Sequence, residues 1–400
     1  MNMNISNVVE PQQGSSADHV TESFVIRELI NAGKTLNIEW ADGGVSRFLF
    51  FWLRDNCPQL RHVTTGHRAV ETSSIPRDVH PSQAIITPSG SVEITWEHDA
   101  HVSTFTPGWL RQNDYGNGAR YLRAPLRLWD GADVGNLPTA DYARLTGDSR
   151  IRRDFLKDFL THGVGILHGV PCEPGTVLAV GALFGEIRST SWGTVFDVVS
   201  KEDANSLAYT NLPLVTHTDE GYRDPAPTVQ LQHFLRADAS GGESTLVDGF
   251  KIAEDMRVEC PAQFELLANT ILDFHFADDT AEHHASDPIL TLRPDGSLKA
   301  VRYSNHSVLP FRLASDRMEE FYEAYLTFAS KRESDSYQVR LKMGAGDLYM
   351  VDNHRVLHGR TGFLSGGARH LQSCYIERDE LASRVTMLER SLERSSAVTR

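Results

Sequence analysis

The short segment His217-Thr218-Asp219 combines two residue types that bind metal ions, with one small polar residue between them. Side chains two apart in a strand lie on one face, so a strand ending here places the imidazole and the carboxylate in one volume. His358, in the segment DNHRVLHGRTGF, is the candidate for a third ligand. Two histidines and one carboxylate leave three adjacent positions of the metal open, which is the arrangement of non-haem Fe(II) oxygenases.

The HTD pattern alone is weak, because HxD occurs easily by chance in a chain of 400 residues with 17 histidines. Arg369, eleven residues after His358, strengthens the interpretation. An iron enzyme of this kind needs a cation for the distal carboxylate of 2-oxoglutarate, and arginine binds carboxylates through two parallel hydrogen bonds. The same three ligands also suit a zinc-dependent hydrolase, but that chemistry leaves Arg369 without a task.

Composition and charge argue against several classes of protein. The formal net charge of −14 disfavours binding to nucleic acid and to anionic membrane surfaces. We expect no secretory signal and no membrane span, because the first residues are neither basic nor apolar and the apolar runs are short. Four scattered cysteines without a disulfide-framework spacing favour a reducing cytoplasm.

The sequence pattern predicts two domains after a disordered leader at residues 1–20. Residues 24–113 read as short strands separated by turn signals, which predicts a small β-rich domain. The Gly-, Pro- and Asp-rich stretch 114–138 is the expected linker, and residues 139–392 form the expected catalytic domain. There, strands interleave with peripheral helices without a regular βαβ rhythm or a GxGxxG loop. This pattern favours an α+β fold, an antiparallel jelly roll with helical cover.

The order of motifs resembles the gamma-butyrobetaine hydroxylase family, within the larger group similar to taurine dioxygenase. The motifs are FWLRDNCP, HTD, GGESTLVDGF, HGR and RHLQSCYIERDEL, in that order along the chain. The resemblance implies a double-stranded β-helix domain that uses Fe(II), 2-oxoglutarate and O2. By motif match, it implies that iron is held by His217, Asp219 and His358. It further implies that Arg369 holds the distal carboxylate of 2-oxoglutarate and that Ser244 or Thr245 assists there.

The resemblance also implies a cage of aromatic rings around a trimethylammonium group, whose charge is attracted to π faces. Trp192, Tyr209 and Tyr375 match the cage positions, and Phe196 is a fourth candidate. Asn305 matches an asparagine that contacts the other end of the substrate in the family.

Two charged residues depart from the family's pattern at the substrate site. Glu220 directly follows HTD, where some relatives have an aromatic residue, and Arg223 comes three positions later. The carboxylate of Glu220 could serve the substrate's cation, whereas Arg223 could serve a more highly charged anion. Either residue would alter the choice of substrate.

The family's N-terminal domain commonly carries zinc on three cysteines and one histidine. Only Cys57 remains of the three cysteines, because Gln59 and His62 occupy the other two positions, and His101 stands at the histidine position. Cys57, His62 and His101 could supply three ligands, but structural zinc usually requires four. We therefore do not expect a structural zinc ion.

These features predict a hydroxylase of a small trimethylammonium compound, most simply of gamma-butyrobetaine to carnitine. The alternative substrates are 2-(trimethylamino)ethylphosphonate and trimethyllysine, which Glu220 and Arg223 keep open. A metal-dependent hydrolase and a non-catalytic binding protein on the same scaffold are more remote alternatives. Since members of the family are dimeric, we expect a cytoplasmic homodimer.

Overall fold

The computed structural model describes residues 24–117, 124–199, 210–363 and 368–398. The chain divides into two compact units, one ending at Leu122 and the other beginning at Arg123. The leader expected at residues 1–20 lies outside the described residues. Within the described ranges, every helix is too short or too polar to cross a lipid bilayer.

The first unit is built mainly of antiparallel β-strands. Its strands and helices are β1 (Ile26–Ala32), β2 (Thr35–Trp40), β3 (Val45–Leu49), α1 (Phe50–Asp55), β4 (Pro81–Ile86), β5 (Val92–Trp96), β6 (Val102–Phe105) and α2 (Pro107–Gln112). They form two three-stranded sheets, β1-β2-β3 and β4-β5-β6. The core is rich in aromatic rings, and the indole N–H groups of Trp40 and Trp96 each donate to a buried serine hydroxyl at 2.8 Å. These tryptophans are therefore buried without losing a hydrogen bond.

The positions that correspond to the family's zinc ligands lie in this unit. Cys57 Sγ lies 3.2 Å from His101 Nε2. Gln59 exchanges two hydrogen bonds with the backbone of Thr104 in β6, at 2.9 and 3.1 Å. His62 is exposed, and in the described part of the chain no cluster of metal-binding side chains includes Cys57, His62 or His101. These donors do not fit a four-coordinate structural zinc.

The second unit is a double-stranded β-helix, as the sequence predicts. Its strands are β7 (Thr139–Asp141), β8 (Val164–His168), β9 (Ile187–Arg188), β10 (Phe196–Val199), β11 (Leu214–His217), β12 (Val229–Ala237), β13 (Ser244–Asp248), β14 (Leu272–Ala277), β15 (Glu282–Asp287), β16 (Leu290–Leu292), β17 (Leu298–Val301), β18 (Gln338–Leu341), β19 (Leu348–Asp352), β20 (Val356–Arg360) and β21 (Arg369–Ile376). The larger sheet has the order β10-β21-β12-β19-β8-β7, with β9 beside β21. The smaller sheet has the order β11-β20-β13-β18, and β14-β15 and β16-β17 are separate hairpins.

Helices cover the two sheets. They are α3 (Tyr142–Gly147), α4 (Ser149–His162), α5 (Thr176–Phe184), α6 (Gly249–Glu259), α7 (Pro261–Asn269), α8 (Ser315–Glu333) and α9 (Arg378–Val398). In α4 the apolar residues recur at helical spacing, and Phe155, Leu156 and Phe159 are buried. Gly163 ends this helix in a left-handed conformation with φ of 74°, which glycine adopts without steric cost.

The stretch 114–138, which we predict as a linker, is folded against the second unit over its later part. Trp129 is buried, and its indole N–H donates to the carbonyl of His162 at 2.8 Å. A 3-10 helix, Gly131–Asn136, follows and is capped by Asp130. Residues 118–123 of this stretch lie outside the described residues.

A buried ion pair fixes the start of β20. The guanidinium of Arg355 donates to both carboxylate oxygens of Asp248, at 3.0 and 2.7 Å. Both side chains are at most 1% exposed. Asp248 also caps α6 by accepting from the backbone N–H of Phe250. The pair therefore joins the end of β13 to the residue just before β20, three positions before His358.

We predict that Asp248→Ala lowers the free energy of unfolding by about 3–5 kcal/mol, because it leaves the buried Arg355 charge uncompensated. Urea denaturation followed by circular dichroism measures this change. The control is Asp335→Ala, since Asp335 pairs with Arg340 but their side chains are 82% and 50% exposed. The control should change the free energy by less than about 1 kcal/mol. Similar effects of the two variants would contradict the prediction.

Candidate active site

The two candidate histidine ligands are brought together by strand pairing. Antiparallel pairing of β11 with β20 places His217 directly opposite His358. Their ring centroids are 4.8 Å apart. Gly359 permits this close approach, because a Cβ at that position would lie 2.4 Å from the carbonyl oxygen of Leu214. The register of the smaller sheet thus sets the distance between the imidazoles.

Asp219 completes the cluster from outside the strand. β11 ends at His217, so shared strand parity does not orient the carboxylate as we expected from the sequence. Instead Asn353 holds the backbone of Asp219, accepting from its N–H at 2.6 Å and donating to its carbonyl at 3.0 Å. Oδ1 of Asp219 lies 3.2 Å from Nε2 of His217 and 3.5 Å from Nε2 of His358.

The donor set fits a divalent iron ion. One atom each from His217, Asp219 and His358 lie within 4.8 Å of one another. Nδ1 of His217 lies 2.9 Å from the carbonyl oxygen of Val215, which can only accept, so Nε2 keeps its lone pair for a metal. Burial opposes ionisation of Asp219, but the adjacent imidazoles of His358 and His217 outweigh it and hold the pKa of this carboxyl well below its usual range. Two imidazole nitrogens and one carboxylate oxygen are the ligands of the facial iron triad.

A cavity of about 430 Å³ opens beside this cluster. Its lining includes the three candidate ligands, two arginines and several aromatic rings. Of the residues predicted from the sequence to bind substrate, four line it: Trp192, Phe196, Glu220 and Tyr375. The volume suits a small organic ligand rather than a polymer.

Aromatic rings form one wall of the cavity. The ring centroid of Phe196 is 5.6 Å from that of Tyr375, and that of Trp192 is 5.7 Å from Phe276. Tyr222 stacks on Phe276 at 4.8 Å. Sequence reasoning missed Tyr222 and Phe276. Tyr222 lies three residues after Asp219 in the same loop, which was an available signal, whereas Phe276 lies in the β14-β15 hairpin and gave none.

Glu220 contributes a buried carboxylate to the same cavity. It adopts a left-handed conformation with φ of 49°. Neither carboxylate oxygen has a hydrogen-bond partner among the described residues. Nε of Arg223 lies 3.4 Å from Oε2, an ion-pair distance without hydrogen-bond geometry. Burial and the charge of Asp219 raise the pKa of Glu220 to about 7, and the cations Arg223 and Arg188 oppose that rise.

Two arginines line another part of the cavity. Arg369 begins β21, and Arg360 ends β20 two residues after His358. Burial and the charge of Arg369 lower the pKa of Arg360 to about 10, and burial also lowers the pKa of Arg369. Sequence reasoning singled out Arg369 and missed Arg360, although the HGR motif contained it. Together they make this part of the cavity suitable for an anion.

The remaining predicted site residues lie elsewhere. Ser244 and Thr245 are buried in β13, where they pair with Arg360 and Gly359, and they are not among the residues that line the cavity. Asn305 is exposed, its Oδ1 accepts from the hydroxyl of Tyr325 at 2.5 Å, and it does not line the cavity either.

Other residues occupy the place expected for Asn305. Its neighbours Ser304, His306 and Ser307 line the cavity instead. Tyr209, the remaining predicted cage residue, lies outside the described residues.

The chain is similar to known proteins over most of its length. Residues 123–375 match the family described as Taurine catabolism dioxygenase TauD, TfdA family, and residues 27–111 match Gamma-butyrobetaine hydroxylase-like, N-terminal. The chain is 36% identical to a gamma-butyrobetaine dioxygenase of Pseudomonas sp. (strain AK-1), covering 89% of this chain and 94% of that protein. It is 29% identical to the Homo sapiens gamma-butyrobetaine dioxygenase, over 92% and 97% of the two chains. It is 28% identical to the mitochondrial trimethyllysine dioxygenase of Gallus gallus, over 89% and 86%.

We predict that Asp219→Ala abolishes detectable Fe(II) binding, because it removes the carboxylate oxygen between the two imidazoles. Anaerobic equilibrium dialysis with Fe(II), followed by iron analysis, measures the binding. The control is Asp197→Ala, which removes a carboxylate that bonds His370 on the exposed side of β10 and should leave iron binding unchanged. Wild-type iron affinity in Asp219→Ala would mean that Asp219 is not a ligand.

Proposed function

We propose that this chain, which belongs to the taurine catabolism dioxygenase TauD, TfdA family, hydroxylates a C–H bond of a small trimethylammonium compound, most simply gamma-butyrobetaine. The chain is a dioxygenase that depends on Fe(II) and 2-oxoglutarate.

The observation that supports a cationic substrate is the combination of aromatic rings and a buried carboxylate in one cavity. Trp192, Tyr222 and Phe276 offer π faces, and Glu220 offers a negative charge that lacks a hydrogen-bond partner in the described structure. A trimethylammonium group has no N–H and cannot form hydrogen bonds, so it is recognised through π faces and opposite charge. A bound cation would add to the partial compensation that Arg223 gives this carboxylate at 3.4 Å, and would favour its ionised form.

The arginine part of the cavity supports binding of the cosubstrate. We assign the distal carboxylate of 2-oxoglutarate to Arg369, whose planar guanidinium can donate two parallel hydrogen bonds. The rings of Phe234 and Phe363 lie 5.5 and 5.7 Å from its guanidinium carbon and limit its movement. Arg360 adds a second positive charge beside it.

Bound Fe(II) and 2-oxoglutarate supply the oxidising power to hydroxylate an unactivated C–H bond with O2, releasing succinate and CO2. The protein's own residues position the metal, the cosubstrate and the substrate relative to one another. His217, Asp219 and His358 hold the metal on one side, Arg369 orients the cosubstrate, and the aromatic wall with Glu220 fixes the cationic end of the substrate. Because the lining is largely buried, the reacting carbon is held near the metal with little water present.

Two other substrates remain candidates within the same reaction class. Trimethyllysine as the substrate is supported by the similarity to the mitochondrial trimethyllysine dioxygenase of Gallus gallus. A trimethylammonium phosphonate is the other candidate, although Arg223 donates to Ser191 Oγ at 3.0 Å, lies beside Glu220 and is not among the residues that line the cavity. Substrate-dependent succinate release with gamma-butyrobetaine, trimethyllysine and 2-(trimethylamino)ethylphosphonate distinguishes these. The substrate with the highest kcat/KM is assigned, and release from none of the three would overturn the trimethylammonium proposal.

The proposal includes a cytoplasmic homodimer. The four free cysteines favour a reducing compartment, and the dimer follows from the resemblance to the gamma-butyrobetaine hydroxylase family. Sedimentation equilibrium of the full chain tests the dimer, and a single species of 44.6 kDa would contradict it.

We predict that Arg369→Lys raises the KM for 2-oxoglutarate about tenfold or more, because lysine keeps the charge but loses the paired hydrogen bonds. Steady-state succinate assays at varied 2-oxoglutarate measure this. Arg340→Lys, an exposed change of the same kind, is the control and should leave the KM unchanged. If Arg369→Lys also leaves it unchanged, the cosubstrate carboxylate is bound elsewhere, and Arg360 becomes the candidate.

We predict that the pocket binds a charged ligand more tightly than a neutral ligand of the same shape. A tert-butyl analogue of gamma-butyrobetaine has the shape of the substrate without its charge, and it should bind about tenfold or more weakly than the natural ligand. In Glu220→Gln the affinity for the charged ligand should fall while that for the neutral analogue stays nearly constant. Tyr222→Leu should weaken the charged ligand about five- to thirtyfold, corresponding to a cation–π contact of about 1–2 kcal/mol.

Calorimetric titration of both ligands with 2-oxoglutarate present measures these differences. Tyr222→Phe keeps the aromatic face and serves as the matched control, with affinity close to wild type. Equal affinity of the wild-type protein for the charged and neutral ligands would show that the pocket recognises shape alone.

A further inference from the structure

The two carboxylate oxygens of Asp219 have different surroundings. Oδ1 faces the imidazoles of His217 and His358. Oδ2 accepts a hydrogen bond from the hydroxyl of Tyr375 at 2.6 Å and another from the side-chain amide of Gln230. One oxygen therefore points to the metal position, and the other is engaged by two protein donors.

Gln230 is itself held by a chain of hydrogen bonds. The amide of Gln232 donates to Oε1 of Gln230 at 2.9 Å, and the hydroxyl of Tyr349 donates to Oε1 of Gln232 at 2.7 Å. Strand pairing sets these contacts, since Gln232 is opposite Tyr349 on β19 and Gln230 is opposite Tyr375 on β21. Gln230 and Gln232 lie two apart in β12 and share one face.

The charge of Asp219 fixes the direction of every bond in this chain. An ionised carboxylate only accepts, so Gln230 must turn its NH2 group toward it and its carbonyl oxygen toward Gln232. Because Gln230 presents its carbonyl oxygen, Gln232 must donate to it through its own NH2 group. The carbonyl oxygen of Gln232 is then free to accept from the hydroxyl of Tyr349. Gln230, Tyr349 and Tyr375 are each no more than 3% exposed, so water does not compete readily for these bonds.

We propose that Tyr375 and Gln230, supported by Gln232 and Tyr349, are positioning residues that make Asp219 a metal ligand through one oxygen only. This inference rests on the assignment of His217, Asp219 and His358 to iron. If both oxygens of Asp219 bound the metal, the protein would fill four of six positions, leaving two. The reaction needs three, two for 2-oxoglutarate and one for O2.

The proposal gives Tyr375 a role that differs from the one predicted from the sequence. Its ring faces Phe196 and the cavity, where it can contact a substrate cation. Its hydroxyl is directed to Asp219 instead. Tyr375→Phe separates the two roles, because it keeps the ring and removes the donor.

The experiment measures iron binding and the iron–cosubstrate complex without any primary substrate. Fe(II) affinity is determined by anaerobic titration of wild type, Tyr375→Phe, Gln230→Leu and the double variant. The visible charge-transfer absorption of the complex with 2-oxoglutarate reports chelation by the cosubstrate. We expect each single variant to weaken Fe(II) binding about tenfold or more, as loss of outer hydrogen bonds to metal ligands commonly does. We also expect a shifted or weaker absorption band.

Two further variants separate hydrogen bonding from packing. Phe196→Leu alters the ring packed against Tyr375 without touching Asp219, and it should leave Fe(II) affinity within about twofold of wild type. Gln232→Leu breaks the chain one step away and should have a smaller effect of the same sign as Gln230→Leu. Tyr375→Phe alters one oxygen atom only and remains informative if Gln230→Leu does not fold.

Fe(II) affinity and absorption unchanged in both Tyr375→Phe and the double variant would overturn the proposal. A large loss in Phe196→Leu together with unchanged affinity in Tyr375→Phe would also overturn it, since packing of the ring would then be the cause. Because no trimethylammonium compound is present, these results are independent of the substrate assignment. Failure of the metal assignment is recognised separately, as Asp219→Ala would then bind Fe(II) like wild type.

Discussion

The carboxylate of Asp219 is the group around which the catalytic unit is organised. A charged acceptor surrounded by mostly buried side chains is stable only when each of its oxygens has partners. One oxygen meets two imidazoles and the other meets Tyr375 and Gln230, while Asn353 holds the backbone from both sides. Because the protein donors bind only Oδ2, Oδ1 stays available to a metal ion beside the two imidazoles.

The two sheets of the jelly roll supply different parts of the site. The smaller sheet contributes the imidazoles, because pairing of β11 with β20 sets His217 opposite His358. The larger sheet contributes the donors to Asp219 and the cation Arg369 through β12, β19 and β21. The buried pair of Arg355 with Asp248 fixes the start of β20. The two candidate imidazole ligands thus depend on one sheet, and the donors to Asp219 and the proposed cosubstrate anchor Arg369 come from the other.

The part of the cavity assigned to the substrate contains an electrostatic feature that the motif pattern of the family did not include. Glu220 is buried beside Asp219, and Arg223 and Arg188 offset only part of the effect of burial and of the neighbouring negative charge. A bound Fe(II) ion on one side and a substrate cation on the other would compensate both carboxylates. This gives a physical reason for a cationic substrate that does not depend on the aromatic rings.

Much of this site follows from the amino-acid sequence alone. Residue types that bind metals and the spacing of HTD, HGR and Arg369 predicted the ligand set, and the interleaving of strands and helices favoured the jelly roll. The order of the motifs, through its resemblance to the family, implied both. The helix closed by Gly163 was predictable because helical spacing is a local pattern. The tertiary structure decided what depends on contacts between distant residues. The hydroxyl of Tyr349 donates to Gln232, which lies 117 positions earlier in the chain. Phe276 contributes to the aromatic wall from a separate hairpin. Asp219 lies beyond the end of its strand, so strand parity could not orient it. Asn353, 134 residues away, holds its backbone, and Tyr375 and Gln230 hold its carboxylate.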